Sequence, residues 1–194
     1  NSRKIHVDID PSSINKNVPV DISIVADAGA ATEALLQEWR LRHASSAHDK
    51  ARLDLWRRQI EAWRARKSFS YAPCDKAIKP QLAVERLYAL TRDRNVYITT
   101  EVGQHQMWAA QHFHFEEPNR WMTSGGLGTM GYGLPAAIGV QAAFPDALVI
   151  DIAGDASVQM TMQEMSTAVQ HDLPVKIFIL NNAYLGMVRQ WQEL

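Results

Sequence analysis

The chain has 194 residues, 46% hydrophobic and 21% charged, an ordinary globular composition that excludes a disordered tail. Its 20 Lys and Arg are interspersed with 21 Asp and Glu for a formal net charge of -1, which leaves no electrostatic footprint for nucleic acid or an anionic membrane. No apolar run approaches the roughly 18 to 20 residues needed to cross a bilayer, residues 1–4 lack a signal-peptide core, and the single cysteine, Cys74, suits a reducing cytoplasm.

Taken in chain order, residues 5–10 read as a strand broken by Pro11-Ser12-Ser13, and residues 21–25 as a second strand. A helix follows with Leu35, Leu36, Trp39 and His43 on one face. After a break at residues 44–47, Leu53, Trp56, Ile60 and Trp63 repeat at spacings of three and four in an Arg-rich helix. Residues 68–80, with two prolines, read as a linker. From Lys79 onward helices and strands alternate, which predicts an α/β domain with a mostly parallel sheet and helices on both faces. The expected order is a helix over 81–91 with Ala83, Leu87 and Leu90 together, a strand over 96–100, a helix over 104–111 and a short strand over 120–123. A Gly/Ala-rich helix over 132–143 comes next, then a buried strand over 147–153, a helix over 161–170 with Met162, Met165 and Val169 on one side, and a strand over 175–180. The absence of an initial Met and a final helix, 185–194, cut at Leu194 read as a fragment of a longer protein.

The informative element is Gly154-Asp155-Ala156 after one buried strand and Asn181-Asn182 after the next. In a parallel sheet both stand at strand carboxyl ends, where open α/β folds bind ligands. A carboxylate and an amide carbonyl are hard oxygen donors, too few to cage a cation but suited to magnesium shared with phosphates. Gly154 permits a tight turn, and the small Ala156 and Ser157 leave backbone N–H groups near a helix start, where a diphosphate is stabilised. The plainer alternative makes Asp155 a helix cap and Asn181-Asn182 a strand-ending turn.

These motifs, together with Gly103-Gln104-His105-Gln106-Met107-Trp108, Ser124-Gly125-Gly126-Leu127-Gly128-Thr129-Met130-Gly131 and Tyr184-Leu185-Gly186-Met187-Val188-Arg189-Gln190-Trp191, resemble the large subunit of the acetohydroxyacid (acetolactate) synthases. The resemblance implies a thiamine diphosphate and magnesium site, with Asp155, the Asn182 side chain and the Tyr184 backbone oxygen as metal ligands. It places Val102, Gly103, Gln104 and His105 in a diphosphate-side loop, beside Met107, and Gly154, Ala156, Ser157, Leu185 and Gly186 in turns around the cofactor. Gly128 and Met130 would meet the aminopyrimidine, with Met130 under the bend of the cofactor. Trp191, Met187 and Val188 would line the acceptor pocket; from spacing alone an amphipathic helix packed on the sheet ranks equal. Asp8, Ile9 and Asp27, with Gly125 and Gly126, would lie at FAD, although Ala26 stands where the family usually has Gly.

The same resemblance implies residues 1–43 as the remnant of a second, FAD-binding-like α/β domain, 44–79 as a helical linker and 80–194 as the thiamine-diphosphate-binding domain, truncated at its carboxyl end. The implied activity joins pyruvate to pyruvate or 2-ketobutyrate in branched-chain amino-acid biosynthesis, in a homodimer or tetramer with a small regulatory subunit. The family's cofactor-activating glutamate lies in an amino-terminal domain outside this sequence, so the chain alone is expected to be inactive. Two rivals stand beside this reading. Gly126-Leu127-Gly128-Thr129-Met130-Gly131 fits a dinucleotide fingerprint, although the strand before it is short and no acidic residue ends a following strand near a ribose. A non-catalytic fragment, or a relative such as glyoxylate carboligase, is the other. His112-Phe113-His114 reads as a solvated or core-edge pair, since no third ligand stands nearby.

Overall fold

A computed structural model describes residues 2–43 and 50–194, without the side chain of residue 43; the predicted break at 44–47 lies outside the described residues. The chain divides into two compact units, Asn1–Ser68 and Phe69–Leu194.

In the first unit β1 (Ile5–Asp8) and β2 (Ile22–Val25) pair in parallel with Asp8 opposite Val25. Two helices follow, α1 (Ala28–His43) and α2 (Lys50–Arg64). Their apolar stripes are only partly covered: Leu35, Leu36 and Trp39 on α1 and Leu53, Trp56 and Trp63 on α2 are exposed. Trp56 and Trp63, seven residues apart and so on one face, meet edge to face at 5.4 Å.

The second unit is a four-stranded parallel sheet in the order β4-β3-β5-β6, built from β3 (Val96–Thr100), β4 (Trp121–Thr123), β5 (Leu148–Gly154) and β6 (Lys176–Leu180). Helices α3 (Pro80–Thr91), α4 (Gln104–His112), α5 (Gly133–Ala143), α6 (Met165–Gln170) and α7 (Gly186–Glu193) connect or follow the strands. Alternation along β3 and β5 sorts the core into two layers. Ile98, Ile150 and Ile152 face Val84 of α3 and Ala109 of α4, whereas Val149 packs with Ala137 of α5 and with Tyr97. The expected α/β architecture with helices on both faces is therefore present.

Some local expectations change. On α3 the buried positions are Val84 and Thr91, and Leu90 is 79% exposed, so the predicted Ala83–Leu87–Leu90 stripe is rotated. The predicted helix over 161–170 is a 3-10 turn, Met162–Glu164, followed by the short α6, and Met162, Met165 and Val169 are exposed. His112 ends a helix rather than sitting on a strand. It is buried and bonded to Glu85 at 3.0 Å, while His114 is exposed beside the Tyr88 ring.

The turn from α5 into β5 is closed by Gln141. Its fully buried amide nitrogen reaches the carbonyl oxygens of Phe144, Pro145 and Ala147 at 3.1 to 3.2 Å, so backbone acceptors that water cannot reach still find a donor.

Candidate functional site

Strand order fixes where a ligand can enter. From β3 the chain crosses outward to β4, and from β5 it crosses the opposite way to β6, so the connections leaving β3 and β5 diverge. That divergence opens a crevice at the carboxyl ends of β3 and β5, the place where open parallel sheets take ligands.

Both loops that leave these strands line one cleft there. Val102, Gly103, Gln104 and His105 follow β3, and Gly154, Asp155, Ala156 and Ser157 follow β5. Asn182, Tyr184, Leu185, Gly186 and Met187 enter from beyond β6, and Met130 from the turn before α5. Trp108, Leu180 and Val188 complete the lining. Trp108 lies inside the Gly103–Trp108 motif but is given no role by it, and Leu180 escapes a reading from motifs because it carries no polar chemistry; its signal is only the apolar phase of β6.

Other candidates lie elsewhere. Gly125, Gly126 and Gly128 are in the exposed loop between β4 and α5, and Met107 is on an exposed part of α4, none of them in the cleft wall. Trp191 is 76% exposed on α7, also outside the wall. Asp8, Ile9 and Asp27 belong to the first unit, at the carboxyl ends of β1 and β2. There Asp27 accepts the Ala30 N–H at 3.0 Å and Asp8 the Asp10 N–H at 2.9 Å.

Two uncapped helix starts converge on the cleft. Gly103 before α4 and Leu185 before α7 make no side-chain cap, and although Gln106 N and Met107 N of α4 already donate to Gly103 O, the capping positions leave the helix starts without a side-chain acceptor. Asp155 does not cap a helix either; its Oδ1 accepts the Asn182 N–H at 3.4 Å. The plainer reading holds for the backbone after β6, where Asn181 accepts from Ala183 N and Asn182 from Tyr184 N, at 2.9 and 3.0 Å, as side-chain turns. That turn sets the Asn182 amide across the crevice from Asp155, 3.4 Å from Gln104 Oε1. Gln104 also bonds Gln190 of α7 at 3.2 Å. A Cβ on Gly186 would overlap the Gln104 side-chain oxygen and lie 2.8 Å from Asn182 Nδ2, so a larger residue there would displace the Gln104 and Asn182 side chains from their present places.

Behind the cleft, His105 is buried, its Nε2 3.4 Å from Ser157 Oγ, which in turn accepts the Gly154 N–H at 3.0 Å. Burial holds His105 down at about 4 against the opposing pull of the Glu101 carbonyl and Asp155, so its ring is neutral at neutral pH. The cleft encloses only about 50 Å³ and is thus one wall of a site. A larger hollow of about 480 Å³, lined in part by Arg92, Arg94 and Arg120, sits at the amino ends of β3 and β4 and shares no residue with the convergent donors. The smaller cleft is where Asp155, Asn182 and the starts of α4 and α7 come together. Among the described residues no group of three His, Cys, Asp or Glu is placed to hold a metal ion.

Residues 101–194 match the family described as "Thiamine pyrophosphate enzyme, C-terminal TPP binding domain". Over its whole length the chain is 50% identical to the acetolactate synthase isozyme 3 large subunit of Escherichia coli and 47% identical to the acetolactate synthase large subunit of Haemophilus influenzae. The chain belongs to the acetolactate synthase large-subunit family. It spans 33% of the length of each of those two relatives. The mitochondrial acetolactate synthase catalytic subunit of Saccharomyces cerevisiae is 46% identical over 98% of the chain, which is 27% of that relative. The Gly126–Gly131 turn follows a three-residue edge strand, β4, and Met130 is the residue of that turn that lines the β3/β5 crevice; the glycines that a dinucleotide fingerprint would set against a pyrophosphate are not in its wall.

Two fully buried acids of this chain, Glu101 and Asp151, escape a reading from motifs. The available signal is a charged residue inside or ending an otherwise apolar strand. Asp151 Oδ1 accepts from Thr99 Oγ1 at 3.1 Å, and Oδ2 has no partner. Burial, reinforced by the charge of Glu101, pushes its carboxyl up to about 7. Because the folded value is raised, the native state holds this proton more tightly than the unfolded chain does. The contribution is fully present below the unfolded value of 3.8 and is lost as pH rises through about 7. Asp151→Asn removes the titration. Its stability relative to the parent should therefore rise between about pH 4 and about pH 7, by at most about 4 kcal/mol in all. Thermal melts across that range check it, and a difference independent of pH would refute the linkage.

Proposed function

We propose that this chain forms the magnesium and diphosphate wall of an acetohydroxyacid synthase, which decarboxylates pyruvate and transfers the two-carbon unit to a second 2-keto acid. The observation that carries the proposal is the meeting of Asp155, Asn182 and two uncapped helix starts at the β3/β5 crevice. The donor set fits the cofactor. Asp155 and the Asn182 carbonyl are hard ligands for magnesium, with the Tyr184 backbone oxygen beside them, and the starts of α4 and α7 receive the diphosphate oxygens.

When bound, thiamine diphosphate supplies the nucleophilic carbon and the electron sink for decarboxylation. The chain's residues hold and shield it. Met130 presents an apolar side chain to the cleft, Gln104 ties the Asn182 turn to α4, and buried His105 and Ser157 brace the turn after β5 without adding charge. Met187 and Val188 at the start of α7 line the same wall and extend it toward Trp191, where the acceptor, pyruvate or 2-ketobutyrate, would pack.

The first unit is proposed to take FAD through Asp8, Ile9 and Asp27. A carboxylate at the end of the second of two parallel strands is where doubly wound folds accept ribose hydroxyls, and Asp27 holds that position. The domain assignment follows the same reading: residues 1–43 as part of a flavin domain, 44–79 as a linker and 80–194 as the thiamine-diphosphate domain. The open, one-walled cleft favours completion by a second copy in a homodimer or tetramer, with a small regulatory subunit. Among the described residues no helix is long and apolar enough to cross a membrane, and Cys74 is free and exposed, in keeping with a proposed cytoplasmic setting.

The direct test is to purify the complete protein, supply pyruvate, magnesium and thiamine diphosphate, and measure acetolactate and carbon dioxide. Formation of acetolactate that stops on chelation of magnesium is the expected result. Release of acetaldehyde without acetolactate would reassign the chain to a decarboxylase.

A further inference from the structure

Helix α5 begins without a cap of its own. Tyr132, at the capping position, has helical backbone angles and makes no side-chain cap. The first N–H groups of a helix need acceptors, and here they are buried beside the sheet. The acceptor comes from the neighbouring strand. Glu101, one residue past the end of β3 and fully buried, accepts from Gly131 N at 2.5 Å and from Leu134 N at 3.1 Å. Burial raises its carboxyl, and the N–H groups of Leu134, Gly131, Gly133 and Tyr132 oppose that rise.

The backbone of Glu101 is engaged as well. Its N–H donates to Ile152 O of β5 at 3.1 Å, and its carbonyl oxygen faces the His105 ring and favours the ring's protonated form. One residue thus grips both sides of the cleft: the Val102–His105 loop through its backbone and the turn that ends in Met130-Gly131 through its side chain. Gly131 sits at φ +88°, a conformation glycine adopts without strain, and a Cβ there would lie 3.0 Å from side-chain atoms of Met160 and Thr161. No cation stands among the groups that shift Glu101; only backbone dipoles compensate its charge. A buried carboxylate costs more than an apolar side chain of the same size unless it is fully hydrogen-bonded, and this one spends its bonds on a single turn.

We propose that Glu101 is a positioning residue, which locks the Met130-Gly131 turn at a fixed distance from the Val102–His105 loop so that the two sides of the cofactor cleft form one rigid seat. It lies outside the cleft wall and acts through Met130 and His105. The inference rests on the thiamine diphosphate reading of that cleft.

Glu101→Gln tests it in the complete protein. The amide keeps the size and one acceptor oxygen but turns an NH2 group toward N–H donors, so one of the two bonds is lost. Three quantities are measured: affinity for thiamine diphosphate at saturating magnesium, near-ultraviolet circular dichroism of the bound cofactor, and the melting temperature of the cofactor-free protein. We expect affinity to fall by about tenfold to a hundredfold, the cofactor band to change, and Glu101→Asp, which keeps the charge, to recover part of both. Affinity within about twofold of the parent with an unchanged band overturns the inference, and a lowered melting temperature alongside would make Glu101 a helix cap and nothing more. If Glu101→Gln does not fold, the same comparison between Glu101→Asp and the parent decides it. A parent protein that binds no thiamine diphosphate with magnesium present would instead remove the cofactor reading itself, and this inference with it.

Discussion

Asp155→Ala in the complete protein should abolish magnesium-dependent binding of thiamine diphosphate, and Asn182→Ala should do nearly the same. Each substitution removes one hard oxygen from an ion that demands near-ideal octahedral geometry and keeps water in preference to a poor ligand. Neither side chain is part of the core: Asp155 is half-buried and Asn182 exposed, and the bond between the two residues runs from the Asn182 main-chain N–H to Asp155 Oδ1 at 3.4 Å. The folded protein should therefore survive both changes, with a melting temperature in the absence of cofactor close to the parent's. Isothermal titration with and without magnesium checks the expectation, which calls for a loss of at least a hundredfold in affinity, about 2.7 kcal/mol or more. Undiminished affinity in both variants would remove the metal assignment. Loss only in Asn182→Ala, with a changed melting temperature, would trace the effect to the turn that Asn182 closes on Tyr184 N.

Trp191→Leu should lower the preference for 2-ketobutyrate over pyruvate as acceptor by about tenfold to a hundredfold, more than it lowers the rate of pyruvate consumption. The two acceptors differ by one methylene, and an indole is large enough to cover it. In this chain the indole is 76% exposed, on the helix that leaves the Asn182 turn, so truncating it opens no cavity in the core. A buried tryptophan would cost roughly 3 to 5 kcal/mol on truncation and would depress both products together. Competition assays with both acceptors present, run beside a thermal melt, separate these accounts. An unchanged product ratio would take Trp191 out of the acceptor pocket.

The elements were legible where chemistry and period agreed. β5 is apolar almost throughout and ends in Gly154-Asp155, so both its burial and its ligand-facing end follow from residue types alone. Helix α3 shows the opposite case. Leu82, Ala83, Val84, Leu87, Tyr88, Ala89 and Leu90 surround nearly the whole helix, and the sheet selected Val84 where the spacing of Leu87 and Leu90 pointed elsewhere. Local period cannot fix a phase when several stripes overlap. Glu101 was illegible for another reason. Its partners are main-chain N–H groups 30 and 33 residues away, and main chain leaves no mark in a pattern of side chains. Most cleft residues, Trp108 among them, fall inside the quoted motifs, whereas Leu180 became part of the cleft only when the strands were placed side by side.

The central β3–β5 pairing sets Ile98 against Ile150 across 52 residues of chain, and every strand pair in this sheet is parallel. Such a pairing forms only after a long loop has closed, an entropic cost borne before most of the stabilising contacts exist. The crevice is made from the ends of these same two strands, so a partly folded intermediate that has formed α4 and β4 but not β5 has no site at all. Occupancy and folding of this unit are consequently linked by mass action. A ligand held at a hundred times its dissociation constant would add about 2.7 kcal/mol to the stability of the entire sheet, making the cofactor supply of the cell a determinant of how long the polypeptide escapes proteolysis.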